Sequence, residues 1–187
     1  YLFLDIFSRK IVGWEVYETQ SAEFAQQVVV KACLREQISR HQLRLHSDNG
    51  SPMKGATMLA TLERLGVMPS FSRPSVSNDN AYSESAFRTL KYSSQVPSKP
   101  FDSVDQAREW VAQFVDWYNL EHRHSSIKFV TPDQRHRGED SEILAQRHQL
   151  YLAAREKNPL RWSGKTRNWN PVESVSLNPQ NVNKEAA

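Results

Sequence analysis

The sequence lacks a second cysteine: Cys33 is the one thiol among 187 residues. A single thiol excludes a disulfide framework and a cysteine-based zinc site, and its position in an apolar, helical-looking run predicts a small core residue. No stretch approaches the roughly 20 apolar residues that span a bilayer. Residues 1–4 are too short a run, and too soon followed by Asp5, to be a signal peptide. We therefore expect a soluble chain of a reducing compartment, the cytoplasm, without a membrane partner.

A strong charge of either sign is also absent, because 24 Lys and Arg residues against 21 Asp and Glu residues leave a net charge of +3. This balance, with a pI near 9.0, permits a nucleic-acid partner without requiring one. The basic residues recur between Arg123 and Arg167, among histidines and tryptophans, a mixture that suits phosphate contacts beside aromatic surfaces. An ordinary solvated basic surface is the alternative for any one of them.

Short strands and helices alternate along the chain, which predicts an α/β fold with a mixed sheet flanked by helices. Runs rich in β-branched and aromatic residues predict strands at residues 1–6 and 11–17, and further short strands are predicted at residues 43–46 and 69–73. Helical spacing predicts helices at residues 21–38, 58–65, from 81 onward, 103–118 and 134–156. Ser21 and Ser103 are expected to cap helix N-termini, and Gly66 a C-terminus. Residues 74–80, rich in Pro, Ser and Asn, predict a mobile loop.

The composition of the sequence changes after Pro132. The alternating predicted strands and helices give way to a predicted polar helix and then to a segment rich in Trp, Asn and basic residues. We place a domain boundary near Gly138. Residues 1–137 are expected to form the main domain, and residues 138–187 a basic, Trp-containing C-terminal extension.

Two acidic residues lie where they could share a site. Asp48 follows a predicted strand and precedes an Asn-Gly turn, so its carboxylate is expected at the sheet edge where ligands of open α/β sheets collect. Glu84 lies in the first turn of a predicted helix, with 84 − 48 − 1 = 35 residues between the two acids. Carboxylate oxygens are the ligands that Mg²⁺ or Mn²⁺ prefers, and two such ions about 3.5 to 4 Å apart suit phosphodiester chemistry.

Each acid also has an ordinary interpretation, since Asp-Asn-Gly is a common turn and a Glu near a helix N-terminus complements the helix dipole. Their combination with Lys91 favours a site. Lys91 lies two helical turns after Glu84 on the same face, where its ammonium group could meet a DNA phosphate. Asn80, just before this helix, is expected to cap it.

Several stretches of the sequence resemble bacterial insertion-sequence transposases of the integrase-core type, in the insertion sequence three group, which are relatives of retroviral integrases. The strings that carry the resemblance are His46-Ser47-Asp48-Asn49-Gly50-Ser51, Ser72-Arg73-Pro74, Ser77-Asn78-Asp79-Asn80-Ala81-Tyr82-Ser83-Glu84-Ser85 and Phe87-Arg88-Thr89-Leu90-Lys91. It extends to Leu4-Asp5-Ile6-Phe7-Ser8-Arg9, Trp117-Tyr118-Asn119, His122-Arg123-His124-Ser125, Thr131-Pro132, Asn158-Pro159, Arg161-Trp162 and Thr166-Arg167-Asn168-Trp169. It covers almost the whole chain.

The resemblance implies a ribonuclease-H-like fold and an Asp, Asp, Glu triad that binds two divalent ions, Mg²⁺ or Mn²⁺. Asp48 matches the second acid and Glu84 the third, with the family's spacing of 35. The implied activity is cleavage and strand transfer of insertion-sequence ends into target DNA, by a homo-oligomer associated with the bacterial nucleoid. The residues expected to contact DNA are Asn49, Arg88, Lys91, Arg123 and His124.

The sequence departs from the family at the first acid, which in the family lies on the strand before the one that begins here. Asp5 belongs to the adjoining strand and is not that residue. We therefore expect a fold lacking its first strand, two of three carboxylates, and little strand transfer by this polypeptide.

Two other functions stay open. A non-catalytic DNA-binding or dimerising remnant of a transposase would need the basic extension and neither acid. A ribonuclease H would share the fold and metals, but it explains the position of Lys91 and the C-terminal extension less well.

Overall fold

The computed structural model describes residues 1–74, 76–93 and 96–177. Contacts within the chain divide it into two compact units. The first unit holds Tyr1–Leu4, Ile11–Val111 and the described residues from Ser176 onward, and the second holds Asp5–Lys10 and Ala112–Val175. In these ranges no helix has the length and apolarity to cross a membrane.

The first unit contains two pairs of strands. β1 (Leu2–Leu4) pairs antiparallel with β2 (Ile11–Trp14), and β3 (Arg44–Ser47) pairs parallel with β4 (Met68–Phe71). Both pairings expected of a mixed sheet are therefore present. They form two separate two-stranded sheets, because no strand of the described chain hydrogen-bonds to both pairs.

Seven α-helices lie in the described part of the chain: α1 (Ala22–Arg35), α2 (Ser51–Lys54), α3 (Ala56–Leu65), α4 (Ala81–Lys91), α5 (Val104–Leu120), α6 (Pro132–His136) and α7 (Asp140–Lys157). α1 to α4 belong to the first unit, α6 and α7 belong to the second, and α5 runs from one into the other.

Three helix ends confirm the expected capping residues. The Ser21 hydroxyl accepts a hydrogen bond from the Phe24 amide at 3.1 Å and begins α1. Ser103 accepts from the Gln106 amide at 3.1 Å and begins α5. Gly66 ends α3 in the left-handed conformation, with φ 68°. These bonds satisfy amides and carbonyls that a helix end leaves without intrahelical partners.

The core of the first unit lies between α1, which follows β2 in sequence, and α3, which lies between β3 and β4. Its buried members are Ala25, Val29, Cys33, Met58, Leu62 and Val67. Cys33 is thus the core residue that the sequence predicts, and burial raises the pKa of its thiol. Each large aliphatic side chain buried here contributes about 1.5–3 kcal/mol to folding.

The second unit has its own small core of Ile127, Val130, Leu144 and Trp169, on which Ile143 and Tyr151 pack. The single helix predicted at residues 134–156 is wrong. Gly138, with φ 76°, separates α6 from α7, because a left-handed residue ends the helical hydrogen-bond pattern. Residues on both sides of Gly138 lie in this unit. The domain boundary placed near Gly138 stays a prediction.

The two left-handed glycines allow a test of backbone strain. Gly66→Ala is expected to lower the free energy of unfolding by about 1–2 kcal/mol, because alanine is strained in the left-handed conformation. The free energy should fall further because the new Cβ would lie 2.9 Å from Arg40 Cβ. Gly138→Ala should show the strain alone, since nothing lies within 4 Å of a Cβ there. Urea unfolding measures both changes. An equal loss in the two variants would show that the Arg40 contact relaxes without cost.

Candidate active site

Asp48 directly follows β3 at the carboxyl end of the parallel pair, one residue beyond the register position Ser47 to Phe71. Its Oδ1 accepts a hydrogen bond from the Gly50 amide at 3.0 Å, which closes the turn that the sequence predicts. The residue is exposed. The second carboxylate oxygen, Oδ2, has no hydrogen-bond donor among the described residues, so it is available to a ligand.

Polar side chains hold the ends of β3 and β4 together. The Asn49 side chain donates from Nδ2 to the Ser72 carbonyl at 2.9 Å. The Ser72 backbone amide donates to the Ser47 carbonyl at 3.0 Å. The His46 ring lies between two hydroxyls, with Nδ1 3.0 Å from Ser70 Oγ and Nε2 3.3 Å from Ser72 Oγ. These bonds fix the loop that carries Asp48. In the sequence, Ser70 and Ser72 alternate on a predicted strand. This alternation could have indicated that both hydroxyls lie on the face that the His46 ring contacts.

The loop before α4 is closed at its base by an ion pair that sequence reasoning missed. The Arg73 guanidinium donates from Nε and Nη2 to the two oxygens of Asp79, at 3.0 and 2.9 Å, and the Arg73 amide donates to Asp79 Oδ2 at 2.8 Å. Asp79 is buried, whereas the Arg73 side chain is 65% exposed. This two-pronged pair ties together the ends of the segment predicted to be a mobile loop, of which Ser75 lies outside the described residues.

α4 carries Glu84 in its first turn and Arg88 and Lys91 in its last turn. The helix packs against β1 and buries Ala86, while these three charged side chains are exposed. In the described part of the chain, none of them forms an ion pair, and Lys91 Nζ lies 5.7 Å from the centre of the Tyr92 ring. Asn80 occupies the N-cap position, but its side chain makes no capping hydrogen bond. Glu84 therefore presents an unpartnered carboxylate at this helix start.

The chemistry of these donors fits a divalent cation in kind. Asp48 and Glu84 both offer hard carboxylate oxygens, and both belong to the first unit. In number they fall short of a closed site. Across residues 1–74, 76–93 and 96–177, no group of three or more His, Cys, Asp or Glu side chains is arranged to hold a metal ion.

Asp5 lies in the second unit and closes a turn. Its carboxylate accepts hydrogen bonds from the amides of Phe7 and Ser8, at 3.1 and 3.2 Å, and from the Ser8 hydroxyl, and it lies 3.3 Å from His136 Nδ1. Burial alone would raise the pKa of Asp5, but these hydrogen bonds outweigh it and lower the pKa. They also end β1 earlier than predicted.

His122 and His124 lie in a cluster of rings after α5. The His122 ring is 4.9 Å from Trp117 and 5.5 Å from Tyr118, and the His124 ring is 5.7 Å from that of His122. Burial lowers the pKa of His122. Burial, followed by the charges of His122 and Arg9, lowers the pKa of His124 to about 4. Both rings are therefore neutral at pH 7, and the adjoining Arg123 is the exposed cation of this segment.

This cluster predicts a pH dependence of folding. The pKa of His124 is lower in the folded chain than the ordinary unfolded value of about 6.5, so the unfolded chain binds more protons between these values. The stability that the neutral ring contributes is complete above pH 6.5 and is lost as the pH falls towards 4. Asp5, whose lowered pKa starts from 3.8, acts below this window.

Urea unfolding across that window checks the prediction. His124→Asn should flatten the dependence of unfolding free energy on pH, whereas His41→Asn, which removes an exposed histidine of the first unit, should leave it unchanged. The prediction is wrong if the His124 variant keeps the slope of the parent chain.

Two family models, both described as "Integrase core domain", match the chain, one over residues 1–77 and the other over residues 65–132. The transposase for insertion sequence element IS904 of Lactococcus lactis is 29% identical over 130 residues, which are 69% of this chain and 51% of that protein. The transposase InsF for insertion sequence IS3A of Escherichia coli is 29% identical over 132 residues, which are 70% of this chain and 45% of that protein. The chain thus spans about half the length of these curated relatives.

Two solved structures show the same fold at low sequence identity. The catalytic core domain of BIV integrase superposes with a TM-score of 0.55 and 17% identity, over 74% of this chain and 85% of that one. A chain of the simian T-cell lymphotropic virus intasome, solved with the PP2A regulatory subunit B56 gamma, gives a TM-score of 0.57 and 14% identity, over 71% of this chain and 46% of that one. Residues 1–77 and 65–132 of the chain are therefore similar to integrase core domains, the chain has the ribonuclease-H-like fold, and it is similar to the transposases of bacterial insertion sequences.

Proposed function

We propose that the chain is the catalytic core of a DNA transposase that cleaves insertion-sequence ends and transfers them to target DNA. One observation carries the proposal. Asp48 at the carboxyl end of a parallel strand and Glu84 in the first turn of α4 offer carboxylates without ion-pair partners in the described chain, in one compact unit. The family match and the transposase relatives support it.

Proteins of the integrase core family act with divalent metal ions. In this chain Asp48 and Glu84 would hold Mg²⁺ or Mn²⁺, with two ions expected in the complete protein. The ions would activate an attacking water or 3′-hydroxyl and stabilise the leaving oxygen. The Gly50 amide would orient Asp48 by its hydrogen bond to Oδ1, and the pair of Arg73 with Asp79 would position the start of α4. Hydrogen bonds of this kind, made by residues that do not touch the metal themselves, hold metal-binding side chains in the required orientation.

The DNA contacts that we propose fall into two groups. Arg88 and Lys91 on α4, with Asn49 beside Asp48, would contact the DNA end held in the first unit. Arg123 would contact phosphates in the second unit. Because His124 is neutral at pH 7, it would contact DNA as a hydrogen-bond donor and not as a cation.

We further propose that several copies assemble on DNA, because two element ends have to be held together for joining. The structural neighbour from a retroviral intasome supports an assembly of this kind. DNA ends and target DNA are then the partners of the protein.

The experiment uses labelled duplexes that carry the ends of the element encoding the chain. The chain extended upstream by a strand that carries the first acid of the triad should join these ends to target DNA in Mg²⁺, and should not do so in EDTA. The chain without that extension should join little or nothing, because it supplies two of the three carboxylates. Robust joining by the unextended chain would overturn that part of the proposal.

The alternative is a non-catalytic DNA-binding or dimerising remnant. The absence of a three-ligand cluster from the described residues favours it. The same experiment separates the two functions, because an extended chain that binds the duplexes yet fails to join them in Mg²⁺ or Mn²⁺ fits the remnant alone.

A further inference from the structure

Three basic side chains of the second unit form ion pairs with carboxylates: Lys10 pairs with Asp133 at 3.0 Å, Arg135 with Asp140 at 3.0 Å, and Arg137 with both Asp133 and Glu139. Arg123, Lys128, Arg147 and Arg167 are further basic side chains of the same unit. Within the described residues, no carboxylate forms an ion pair with any of these four. Their positive charges therefore stay uncompensated.

Arg147 holds the loop before α6 in an unusual conformation. Its Nη1 donates to the Lys128 carbonyl at 2.8 Å and its Nη2 to the Phe129 carbonyl at 3.1 Å. Lys128 and Phe129 are successive non-glycine residues in the left-handed region, with φ 63° and 61°. This region is unfavourable for side chains with a Cβ, and such strain persists where surrounding contacts enforce it, often at functional sites.

Aromatic rings and carbonyls hold the other cations near this loop. The Arg167 guanidinium lies 5.1 Å from the centre of the Phe129 ring and 5.6 Å from that of Trp169, and Arg147 lies 5.7 Å from Trp169. Lys128 Nζ donates to the Asn168 carbonyl at 3.1 Å. Contacts with ring faces and single carbonyls fix a cation in place without cancelling its charge.

The charges also lie near one another. The pKa of the Arg147 guanidinium is lowered by burial and then by the charge of Arg123. Like charges repel, so a concentration of them without carboxylates suits an anionic partner. The Arg123 and Arg167 side chains are exposed, and a guanidinium stacked on a ring keeps its N–H edge free for a phosphate.

We propose that Lys128 and Arg167 form a basic surface that binds the phosphate backbone of duplex DNA, with Arg147 as the positioning residue that shapes its loop. These residues belong to the second unit, whereas Asp48 and Glu84 belong to the first, and the binding needs no metal ion. The choice of DNA over another polyanion rests on the proposed function. The binding itself rests on the arrangement of the charges.

The test measures binding of the chain to a fluorescent duplex of arbitrary sequence, in EDTA, over a series of salt concentrations. Lys128→Gln with Arg167→Gln should lower the slope of log affinity against log salt by about 1.8, since each phosphate contact contributes about 0.9. The matched control is Arg155→Gln with Lys157→Gln, which removes two exposed charges from the end of α7 in the same unit. The control should keep the parent slope. Equal slopes in the two double variants would overturn the proposal.

Further readouts test the role of Arg147 and distinguish loss of this surface from misfolding, from a different polyanion and from loss of the carboxylate site. Circular dichroism melts check that the double variants fold like the parent chain. Arg147→Lys should weaken binding although it keeps the charge, because one ammonium group cannot hold both carbonyls in the same way. A loss of binding confined to single-stranded RNA would assign the surface to another partner and overturn the proposal. Binding is measured in EDTA, where no joining takes place, so a failure of DNA joining and a failure of this surface are distinguishable.

Discussion

Replacing Glu84 with Gln, or Asp48 with Asn, is expected to slow DNA joining by at least about 10³-fold in the chain that is extended upstream to supply the first acid of the triad. The carboxylates would hold ions that stabilise charge on the attacking and leaving oxygens, and a 10³-fold loss corresponds to about 4 kcal/mol of that stabilisation. Both replacements preserve the shape of the side chain. Affinity for DNA should stay within about two-fold, because removing a negative charge does not weaken phosphate contacts.

Glu63→Gln is the matched control, since Glu63 is an exposed glutamate on α3 of the same unit. Single-turnover joining and fluorescence anisotropy, on the same labelled ends, measure the two quantities. Joining rates of the Glu84 and Asp48 variants that equal the rate of the control would remove these residues from the active site. A loss of binding together with joining would indicate an effect on folding or DNA contact instead.

Arg135→Met is expected to lower the free energy of unfolding by about 3–5 kcal/mol, because it leaves a buried carboxylate without its partner. The Arg135 side chain is 0% exposed and pairs with Asp140 at 3.0 Å. It also donates to the carbonyls of Phe7, at 2.8 Å, and Val172, and its guanidinium lies 4.1 Å from the centre of the Phe7 ring. Methionine has a comparable length and satisfies none of these groups.

Arg137→Met is the control on the same helix, where the Arg137 side chain is 57% exposed beside Asp133 and Glu139. Exposed ion pairs are worth about 0–1 kcal/mol, so this variant should unfold at nearly the parent concentration of urea. Similar losses in the two variants would mean that Arg135 contributes no more than a surface ion pair. A double variant, Arg135→Met with Asp140→Leu, should recover part of the stability because it removes the orphaned charge.

Local patterns in the sequence were enough to predict most helices and their ends. Ser21, Ser103 and Gly66 cap helices through bonds to residues within four positions, so the sequence contains the whole interaction. The positions of Asp48 after β3 and Glu84 in the first turn of α4 follow from the same local rules. Their roles in catalysis remain predictions.

What the sequence did not reveal depends on contacts between distant residues. His136 meets Ser8 across 128 positions and Asp5 across 131, and no periodicity encodes such a pairing. The split of the predicted helix at Gly138 was missed because one glycine is tolerated within many helices, and its left-handed conformation is set by the structure around it. The four strands pair in two separate sheets for a similar reason, since strand partners are chosen by tertiary packing.

The turn between β1 and β2 belongs to the second unit, although both strands belong to the first. Within that turn Ser8 and Arg9 are buried, and the Phe7 carbonyl accepts from Arg135 across 128 positions. A polypeptide that starts at Ala112 would therefore lack part of its own interior. During synthesis on a ribosome, residues 5–10 are made more than a hundred residues before the rest of this unit, so the unit cannot fold until the later residues have been added. Such high contact order predicts slow refolding. A reporter fused into the turn should destabilise the second unit more than a reporter fused after Val175.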